Sequence, residues 1–346
     1  MNAVVVHDGA VHPGGAVKVV IETARALDGD IVVGISAMDE DWWNSRVPND
    51  AKVLSKKSKM GTIQDLKNAY RMMNLSLNEY DVVVTSGPAT KFFQPYDNQT
   101  HVHYLHHPPL SKLWFEGGLS AYLQSFVDRV ETRSIPVIIA NSRLTAERCW
   151  KHYGREVSRV VNPPVEVESF SGKTDRQENK FVMVGRLEER KRPRLAVQAF
   201  TELQDSEISP RPELHLVGGG PDLQKIKKEA SDNIVVHGFV DDEELRSIVE
   251  SAYGGVFLAK REDFGLTPVE YLAAGLPVLG VDEPNTNNQI QNEEQGVLVE
   301  PDVESVKKGV VKMIDKPWDR ENISATVDQY GINRFQKEIQ EAVKDA

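Results

Sequence analysis

Several broad classes of protein are disfavoured by what the chain lacks. It has a single cysteine among 346 residues, Cys149, so no intrachain disulfide can form and a reducing, cytoplasmic setting is expected. No apolar run approaches the roughly 18–20 residues that a membrane-spanning helix needs. The first residues have neither the basic head nor the cleavage site of a signal peptide. The net charge of −11 argues against a nucleic-acid partner.

The loop at residues 9–15 lacks two common phosphate-binding motifs. It contains neither the Gly-x-Gly-x-x-Gly of dinucleotide-binding proteins nor the Gly-Lys-Ser/Thr of a P-loop, which disfavours a dehydrogenase. Its small residues would still let backbone N–H groups approach a phosphate or sugar oxygen closely. The alternative is that Gly14 and Gly15 simply form a tight corner.

No metal site is expected either. The four histidines between residues 101 and 107 have no acidic or cysteine partner at ligand spacing. A polar contact from His106 or His107 at a strand end is the favoured interpretation. The Asp-x-Asp triplets at residues 28–30 and 39–41 are explained by turn chemistry.

The chain that remains after these exclusions has the composition of a soluble globular protein with two domains, at 40% hydrophobic and 27% charged residues. Strands alternate with helices, which predicts parallel sheets covered by helices on both faces. A polar stretch at residues 169–179 divides the chain into a domain at 1–168 and a domain at 169–346. The net charges of these halves are −1 and −10.

The predicted fold class is therefore α/β, with two Rossmann-like, doubly wound domains facing each other across a cleft. The last helix is expected to pack back on the first domain. Strands are predicted at residues 3–8, 31–35, 81–85, 101–105, 137–140, 180–185, 213–218, 234–238, 254–259, 277–282 and 296–300. Helices are predicted at 15–27, 194–203, 241–251, 302–315 and 333–344, with another from 221.

Residues 262–270 carry the most informative pattern in the chain. Two carboxylates, Glu262 and Glu270, stand eight positions apart and enclose a glycine and a helix-start signal. A strand, a glycine-bearing turn and a helix N-terminus together form an anion site. A carboxylate at each end and phosphate in the middle suit a sugar nucleotide. The alternative is a capping box with Thr267 as N-cap and Pro268 first in the helix, in which Glu270 only holds the helix start.

Four cations follow directly after the strand predicted at 180–185. They are Arg186, Arg190, Lys191 and Arg192. Because this is the carboxyl edge of the sheet, where a ligand would lie, cations there can neutralise a leaving diphosphate. Arg186 and Lys191 are the stronger candidates.

Nine segments in a fixed order make the chain similar, over nearly its full length, to the family-4 retaining glycosyltransferases of GT-B fold. These are the glycogen-synthase-like and mannosyltransferase-type enzymes of group 1. The segments are 14–15, 105–109, 140–142, 161–165, 185–191, 217–222, 238–240, 262–270 and 274–278. One departure is the stretch 283–290, where the family usually has small glycines and a glutamate, so the sugar preference stays open.

The resemblance implies that residues 1–168 form the acceptor side and residues 169–346 the donor side, and it implies a role for each matching residue. Glu262 would contact the donor hexose and Glu270 the ribose hydroxyls. The diphosphate would be held by Arg186 and Lys191, aided by backbone N–H groups near Leu266 and Thr267. From the opposite domain, Gly15 would meet the phosphate or sugar, and His106 the transferred sugar.

The resemblance also implies a reaction. The donor would be a UDP- or GDP-sugar, with no cofactor and no metal, and the hexosyl group would pass with retention to a hydroxyl of a lipid-linked or polysaccharide glycan. The leaving phosphate accepts the acceptor's proton on the same face, so Glu262 is not assigned as a nucleophile. The alternatives are a GT-B-fold epimerase or phosphorylase, or a glycosyltransferase-like subunit without turnover.

Residues 55–74 suggest a membrane surface as a further partner. Lys56, Lys57, Lys59, Lys67 and Arg71 stand there against one acid, Asp65. Apolar residues recur at helical spacing at Ile63, Leu66, Tyr70 and Met73. The pattern predicts that the first domain docks on the anionic inner face of the membrane, as a peripheral protein with a membrane-linked acceptor. The alternative is that the stripe packs on the sheet while the lysines face water.

Overall fold

The structure, a computed structural model, describes residues 1–56, 62–108, 128–169, 176–204 and 206–346, without the side chains of 62–65. The chain divides into two compact units. Unit 1 comprises Met1–Pro164 and Ile332–Ala346, and unit 2 comprises Val165–Gly331. The division lies close to the expected boundary at 168/169, while the last helix is part of unit 1.

Unit 1 contains a parallel sheet of seven strands within the described ranges. The strands are β1 (Ala3–Ala10), β2 (Asp30–Ser36), β3 (Ala51–Val53), β4 (Val82–Ser86), β5 (Thr100–Leu105), β6 (Val137–Ala140) and β7 (Arg159–Val160). Their order across the sheet is β3-β2-β1-β4-β5-β6-β7. The central strands are runs of valine buried on both faces, as expected for a parallel sheet covered by helices.

The helices of unit 1 lie at Gly15–Leu27, Glu40–Asn44, Thr62–Met73, Arg143–Tyr153 and Ile332–Lys344, with a further helical stretch at 128–134. The last helix belongs to this unit because its apolar face joins the core of the first helix. Gln336 donates to Glu22 at 2.8 Å and Gln340 to the carbonyl of Ala26 at 2.6 Å.

Helix Thr62–Met73 has two contrasting faces. Asn68 and Met72 are fully buried, whereas Leu66, Tyr70 and Met73 are 64%, 66% and 52% exposed. The interpretation in which the apolar stripe packs on the sheet is therefore wrong for these three residues. No helix in the described part of the chain is long and apolar enough to cross a bilayer.

Unit 2 contains a second parallel sheet, of six strands in the described ranges. The strands are β8 (Lys180–Val184), β9 (Glu213–Val217), β10 (Ile234–Gly238), β11 (Gly254–Phe257), β12 (Val278–Val281) and β13 (Gly296–Val299), in the order β10-β9-β8-β11-β12-β13. Its helices are Pro193–Glu202, Leu223–Glu229, Asp242–Glu250, Leu266–Ala273, Thr286–Gln289, Val303–Ile314 and Arg320–Ala325.

Each sheet reverses its strand order once, between β1 and β4 in unit 1 and between β8 and β11 in unit 2. In doubly wound sheets the loops at such a switch point diverge above and below the sheet and leave a crevice at the carboxyl ends of the strands. The predicted doubly wound α/β class is confirmed for each unit. Both switch points lie where the sequence placed candidate residues.

Candidate functional site

Glu262 and Lys191 form the centre of the candidate site in unit 2. Lys191 lies in a short 3-10 turn, Glu189–Lys191, after β8, and Glu262 follows β11, the neighbouring strand. The Lys191 Nζ donates to Glu262 Oε2 at 2.5 Å, and the two side chains are 19% and 16% exposed. The structure thus brings together two residues that the sequence proposed separately.

The remaining cations extend this pair into a chain of alternating charges. Arg190 Nη1 lies 3.5 Å from Glu262 Oε2, and Arg190 Nε lies 3.6 Å from Glu188 Oε1. The other oxygen of Glu188 lies 3.2 Å from Nε of Arg186, which is 68% exposed. Glu188 was missed from the sequence because a carboxylate among arginines looks like an ordinary surface residue. An anionic ligand could bind Arg186 without breaking the Lys191–Glu262 bond.

The helix that follows Glu262 begins earlier than the capping-box interpretation requires. It spans Leu266–Ala273 and its N-cap is Gly265, at φ 76°. Thr267 and Pro268 are therefore its second and third residues, and the N-cap residue, a glycine, has no side chain to cap the helix. The capping-box interpretation is wrong, because glycine at a positive φ turns the chain into the helix before Thr267 is reached.

This early start places Leu266 and Thr267 in the first turn, where backbone N–H groups have no partner within the helix. Glu270 lies one turn further along, half-buried. A Cβ on Gly265 would lie 3.1 Å from Glu262 Cγ, so glycine also lets the loop stay close to that side chain. The positive end of the helix and a carboxylate are thus held beside each other.

Glu283 holds the segment that carries Glu262. Its Oε1 accepts from Arg192 Nη2 at 2.7 Å, and its Oε2 accepts from the backbone N–H of Arg261 at 2.9 Å. Arg192 also donates from Nη1 to the carbonyl of Leu258 at 3.0 Å. Burial acts to raise the pKa of Glu283, but these hydrogen bonds and the Arg192 charge outweigh it and hold the pKa below its usual value.

Two amides from the same segment support the loop further. Asn285 donates to the carbonyl of Glu262 at 3.1 Å, and Gln289 donates to the carbonyls of Phe264 at 2.6 Å and Gly265 at 2.9 Å. The stretch 283–290, which departs from the family pattern, therefore positions the Glu262 loop. The departure is visible in the sequence, whereas this role is not.

Backbone strain is concentrated in the same place. Arg192, Arg261 and Asn285 have φ values of 53°, 55° and 74°, in the left-handed region that side chains with a Cβ adopt infrequently. Such residues persist where surrounding contacts enforce them, and they cluster at functional sites. Here the enforcing contacts are those of Glu283 and the two amides.

His106 and Gly15 lie in unit 1. Gly15 begins the first helix, and no described side chain caps that helix at Gly14. His106 Nε2 lies 2.7 Å from the Ser86 hydroxyl, which lies 3.2 Å from His7 Nδ1. Burial lowers the pKa of His106 to about 3, helped by His7 and His107, so its ring is neutral at physiological pH.

A cavity of about 490 Å³ opens beside His106, at the switch point of unit 1. Its lining includes Asp8, Lys91 and Asp128, none of which sequence analysis had singled out. Asp8 belongs to no recognisable sequence motif. Its burial depends on the pairing of β1 with β4, which lies far along the chain. His101 and His103 instead share the Thr85 hydroxyl, at 2.9 Å each, inside the core. Among the described residues, no group of three or more His, Cys, Asp or Glu could hold a metal ion.

Comparison with known proteins bears on both units. Residues 165–330 match the family model for glycosyl transferases group 1. The alpha-1,3/1,6-mannosyltransferase alg2 of Schizosaccharomyces pombe is 25% identical over 341 residues, covering 78% of this chain and 66% of that protein. The chain thus spans just under two thirds of the length of that relative.

Solved structures resemble the chain over its whole length. HepE of Anabaena, in complex with UDP, matches with a TM-score of 0.79 at 16% identity and covers 100% of both chains. WaaG, a glycosyltransferase involved in lipopolysaccharide biosynthesis, matches with a TM-score of 0.76 at 15% identity, covering 99% of this chain and 100% of that one. The resemblance to group 1 glycosyltransferases and the GT-B fold are confirmed.

The contacts of Glu283 lead to a prediction for its replacement by glutamine. Glu283→Gln should lower the turnover of any reaction at Glu262 by at least about tenfold, because hydrogen bonds to charged groups contribute about 1.5–3 kcal/mol and these hold the loop. The binding of nucleotide should change little. Steady-state kinetics and nucleotide titrations measure the two effects.

The matched control is Glu229→Gln, which removes another carboxylate of unit 2 that binds one arginine, Arg194, at 3.0 Å and 3.1 Å. That pair lies between helices, so turnover should stay at the wild-type value. Equal losses in both variants would show a general effect of charge on stability and contradict the positioning role of Glu283.

Proposed function

We propose that the protein transfers a hexosyl group, with retention, from a nucleoside-diphosphate sugar to an acceptor hydroxyl. The premise is that residues 165–330 match the family model for glycosyl transferases group 1 and that the chain has the GT-B fold. The observation that carries the proposal is the Lys191–Glu262 pair beside the helix that starts at Leu266. It combines a hydroxyl-binding carboxylate with positive charge suited to a diphosphate.

The diphosphate would be met by Arg186, Lys191 and the backbone N–H groups of Leu266 and Thr267. Charge develops on the leaving oxygens as the sugar departs, and fixed cations and helix dipoles stabilise it most where water is excluded. The partial burial of Lys191 suits that task, and the exposure of Arg186 lets it reach an incoming ligand. These groups make a metal counter-ion unnecessary.

Glu262 would bind hydroxyls of the donor hexose, and Glu270 those of the ribose. The hydrogen bond from Lys191 occupies one oxygen of the Glu262 carboxylate, so that oxygen is less available as a nucleophile. The bond from the anomeric carbon to the phosphate breaks while the bond to the acceptor oxygen forms on the same face. The acceptor's proton passes to the departing phosphate, so no residue of the chain needs to form a covalent intermediate.

In unit 1, the proposed roles are contact of Gly15 with the phosphate or the sugar and contact of the neutral His106 ring with the transferred sugar. HepE in complex with UDP supports a nucleotide-sugar donor, and a mannosyltransferase relative supports a hexosyl group. The role of WaaG in lipopolysaccharide biosynthesis supports an acceptor on a lipid-linked glycan. The donor would be a UDP- or GDP-sugar, and the setting cytoplasmic.

A thermal-shift screen of sugar nucleotides followed by product analysis tests the proposal. A donor at about 100 times its dissociation constant should stabilise the protein by about 2.7 kcal/mol, enough to rank donors. With the best donor, NMR should show that the new glycosidic bond keeps the donor's anomeric configuration, and activity should persist in EDTA.

Three results would each contradict one part of the proposed function. An inverted product would exclude retention. Loss of activity in EDTA with rescue by magnesium or manganese would show that a metal supplies the main counter-charge. Release of an epimerised sugar nucleotide, or phosphorolysis without an acceptor, would favour the epimerase or phosphorylase alternative.

A second prediction concerns the cations. Arg186→Ala and Lys191→Ala should each lower kcat/KM by at least about 100-fold, because each removes charge stabilisation from the leaving group. Arg194→Ala, which removes an arginine bound to Glu229 between helices, is the matched control and should have little effect. Similar losses at all three positions would indicate a diffuse charge effect instead of a diphosphate site.

We also propose that unit 1 docks on an anionic membrane through helix Thr62–Met73. Its exposed Leu66, Tyr70 and Met73 would enter the interfacial region, where amphipathic helices bind. Exposed Lys67 lies on the same helix, and Lys56, 3.5 Å from Asp39, lies just upstream. Lys57 and Lys59, which belong to the same prediction, lie outside the described residues.

Co-sedimentation with phosphatidylglycerol vesicles tests this docking. The double variant Leu66→Asp/Tyr70→Asp should abolish binding, and Lys67→Glu should weaken it several-fold at low salt, since a lysine near an anionic leaflet contributes about 1 kcal/mol. Trp150→Ser, which removes another exposed aromatic residue of unit 1, is the control and should bind normally. Binding that depends on neither salt nor these residues would contradict the proposal and favour a soluble acceptor.

A further inference from the structure

Asp8 is a buried carboxylate that faces the cavity of unit 1. It lies near the carboxyl end of β1, at the switch point of the sheet, and is 7% exposed. Its Oδ2 accepts a hydrogen bond from the backbone N–H of Ala89 at 2.9 Å. Its own carbonyl accepts from the side chain of Asn68 at 2.6 Å. Both its backbone and its side chain are therefore held in place.

Neighbouring residues leave room for this carboxylate. Gly87 has φ 101°, and a Cβ there would collide with the Asp8 side chain. Gly34 is needed for a similar reason, since a Cβ on it would collide with Asn68 and Met72 and approach the Asp8 carbonyl at 2.7 Å. The segments that contain Gly34, Asn68 and Gly87 thus all pack closely around Asp8. This degree of fit suggests more than a space-filling role for the side chain.

The Lys91 ammonium, which also lines the cavity, is already engaged by another acid. It donates to Asp128 Oδ1 at 2.7 Å and to the Tyr153 hydroxyl at 3.0 Å, and that hydroxyl donates to Asp128 Oδ2 at 2.6 Å. Among the described lining residues Lys91 is the one lysine or arginine. No described lysine or arginine forms an ion pair with Asp8.

A carboxylate buried without a cation is costly, and such groups cluster at functional sites. Burial raises the pKa of Asp8, against the opposing effects of His7 and the backbone hydrogen bonds. An incoming hydroxyl group could donate to this carboxylate and replace the water it lost on folding. A ligand with several hydroxyl groups is thus complementary to Asp8.

The charges of the cavity indicate which ligands it excludes. Lys91 and Asp128 form an ion pair and His106 is neutral, which leaves Asp8, with the imidazoles of His7 and His107 near it, as the carboxylate of the described lining that has no lysine or arginine partner. A phosphate or carboxylate group would be repelled by Asp8 without gaining a free cation from the described lining. The volume of about 490 Å³ lies within the range of small-molecule sites.

We propose that this cavity binds an uncharged, hydroxyl-rich sugar residue, the acceptor end of a glycan, and that Asp8 accepts a hydrogen bond from one of its hydroxyl groups. The inference rests on the proposed glycosyl transfer and specifies its acceptor. Asp8 orients this acceptor, whose reacting proton still goes to the departing phosphate. The site therefore selects neutral glycosides over sugar phosphates.

Ligand-observed NMR on the full chain tests the site without turnover. The probes are the methyl α-glycosides of glucose, galactose and mannose, each compared with the corresponding hexose 6-phosphate. The wild-type protein should bind at least one methyl glycoside and discriminate against its 6-phosphate by at least about tenfold. Equal or tighter binding of the 6-phosphates would overturn the proposal.

Asp8→Asn should weaken glycoside binding by at least about tenfold, because a hydrogen bond to a charged acceptor is lost. Asparagine keeps an oxygen for the Ala89 N–H, so the fold is retained. Ala16→Leu should also block binding, because the larger side chain fills the cavity while the Asp8 carboxylate stays unchanged. Asp39→Asn, at a helix N-cap away from the cavity lining where asparagine caps equally well, is the matched control and should bind as wild type.

Donor assays separate this inference from the proposed function. The affinity for the nucleotide sugar, measured without an acceptor, should be unchanged in Asp8→Asn. If no sugar nucleotide binds the wild-type protein, glycosyl transfer fails, whereas the NMR result still reports on the cavity. If transfer proceeds and Asp8→Asn leaves the acceptor KM unchanged, the role of Asp8 is wrong.

Discussion

The Arg192–Glu283 ion pair is the interaction on which the candidate donor site depends. Its carboxylate binds a guanidinium through one oxygen and the backbone of Arg261 through the other, so it ties the turn after β8 to the segment after β11. These are adjacent strands, and the loops at their carboxyl ends must diverge. The charge-assisted bonds of Glu283 hold these two loops close to each other. As a consequence, Lys191 can donate to Glu262.

The two units differ in how their partly or fully buried charged side chains are paired. In unit 2, cations and carboxylates alternate from Arg186 to Lys191, so the site is a partly exposed network that an anion could enter. In unit 1, Lys91 forms an ion pair with Asp128, while Asp8 has hydrogen bonds but no lysine or arginine partner among the described residues. The first arrangement suits a diphosphate, and the second suits neutral hydroxyl groups.

Much of the candidate site could be predicted from the sequence because the relevant residues follow strands directly. Arg186, Lys191 and Glu262 lie two, seven and five residues after a strand end, and strand ends are visible as the limits of apolar runs. The helix start was misplaced, since the Thr-Pro pair is a strong local signal but Gly265 turns the chain earlier. Asp8 ends the strand predicted at 3–8 and Glu283 follows the strand predicted at 277–282, but a strand end alone did not mark either as a site residue. Their importance appears only through their partners.

The sequence by itself determined the alternation of strands and helices, the doubly wound class and the positions of the candidate cations and carboxylates. These follow from apolar periodicity and turn chemistry, which act over a few residues. Only the tertiary structure decided that Glu283 binds Arg192, 91 residues away, and that Asp8 meets Ala89, 81 residues away. Such contacts depend on strand order and on the crossovers between parallel strands, and no local pattern encodes which distant side chains they bring together.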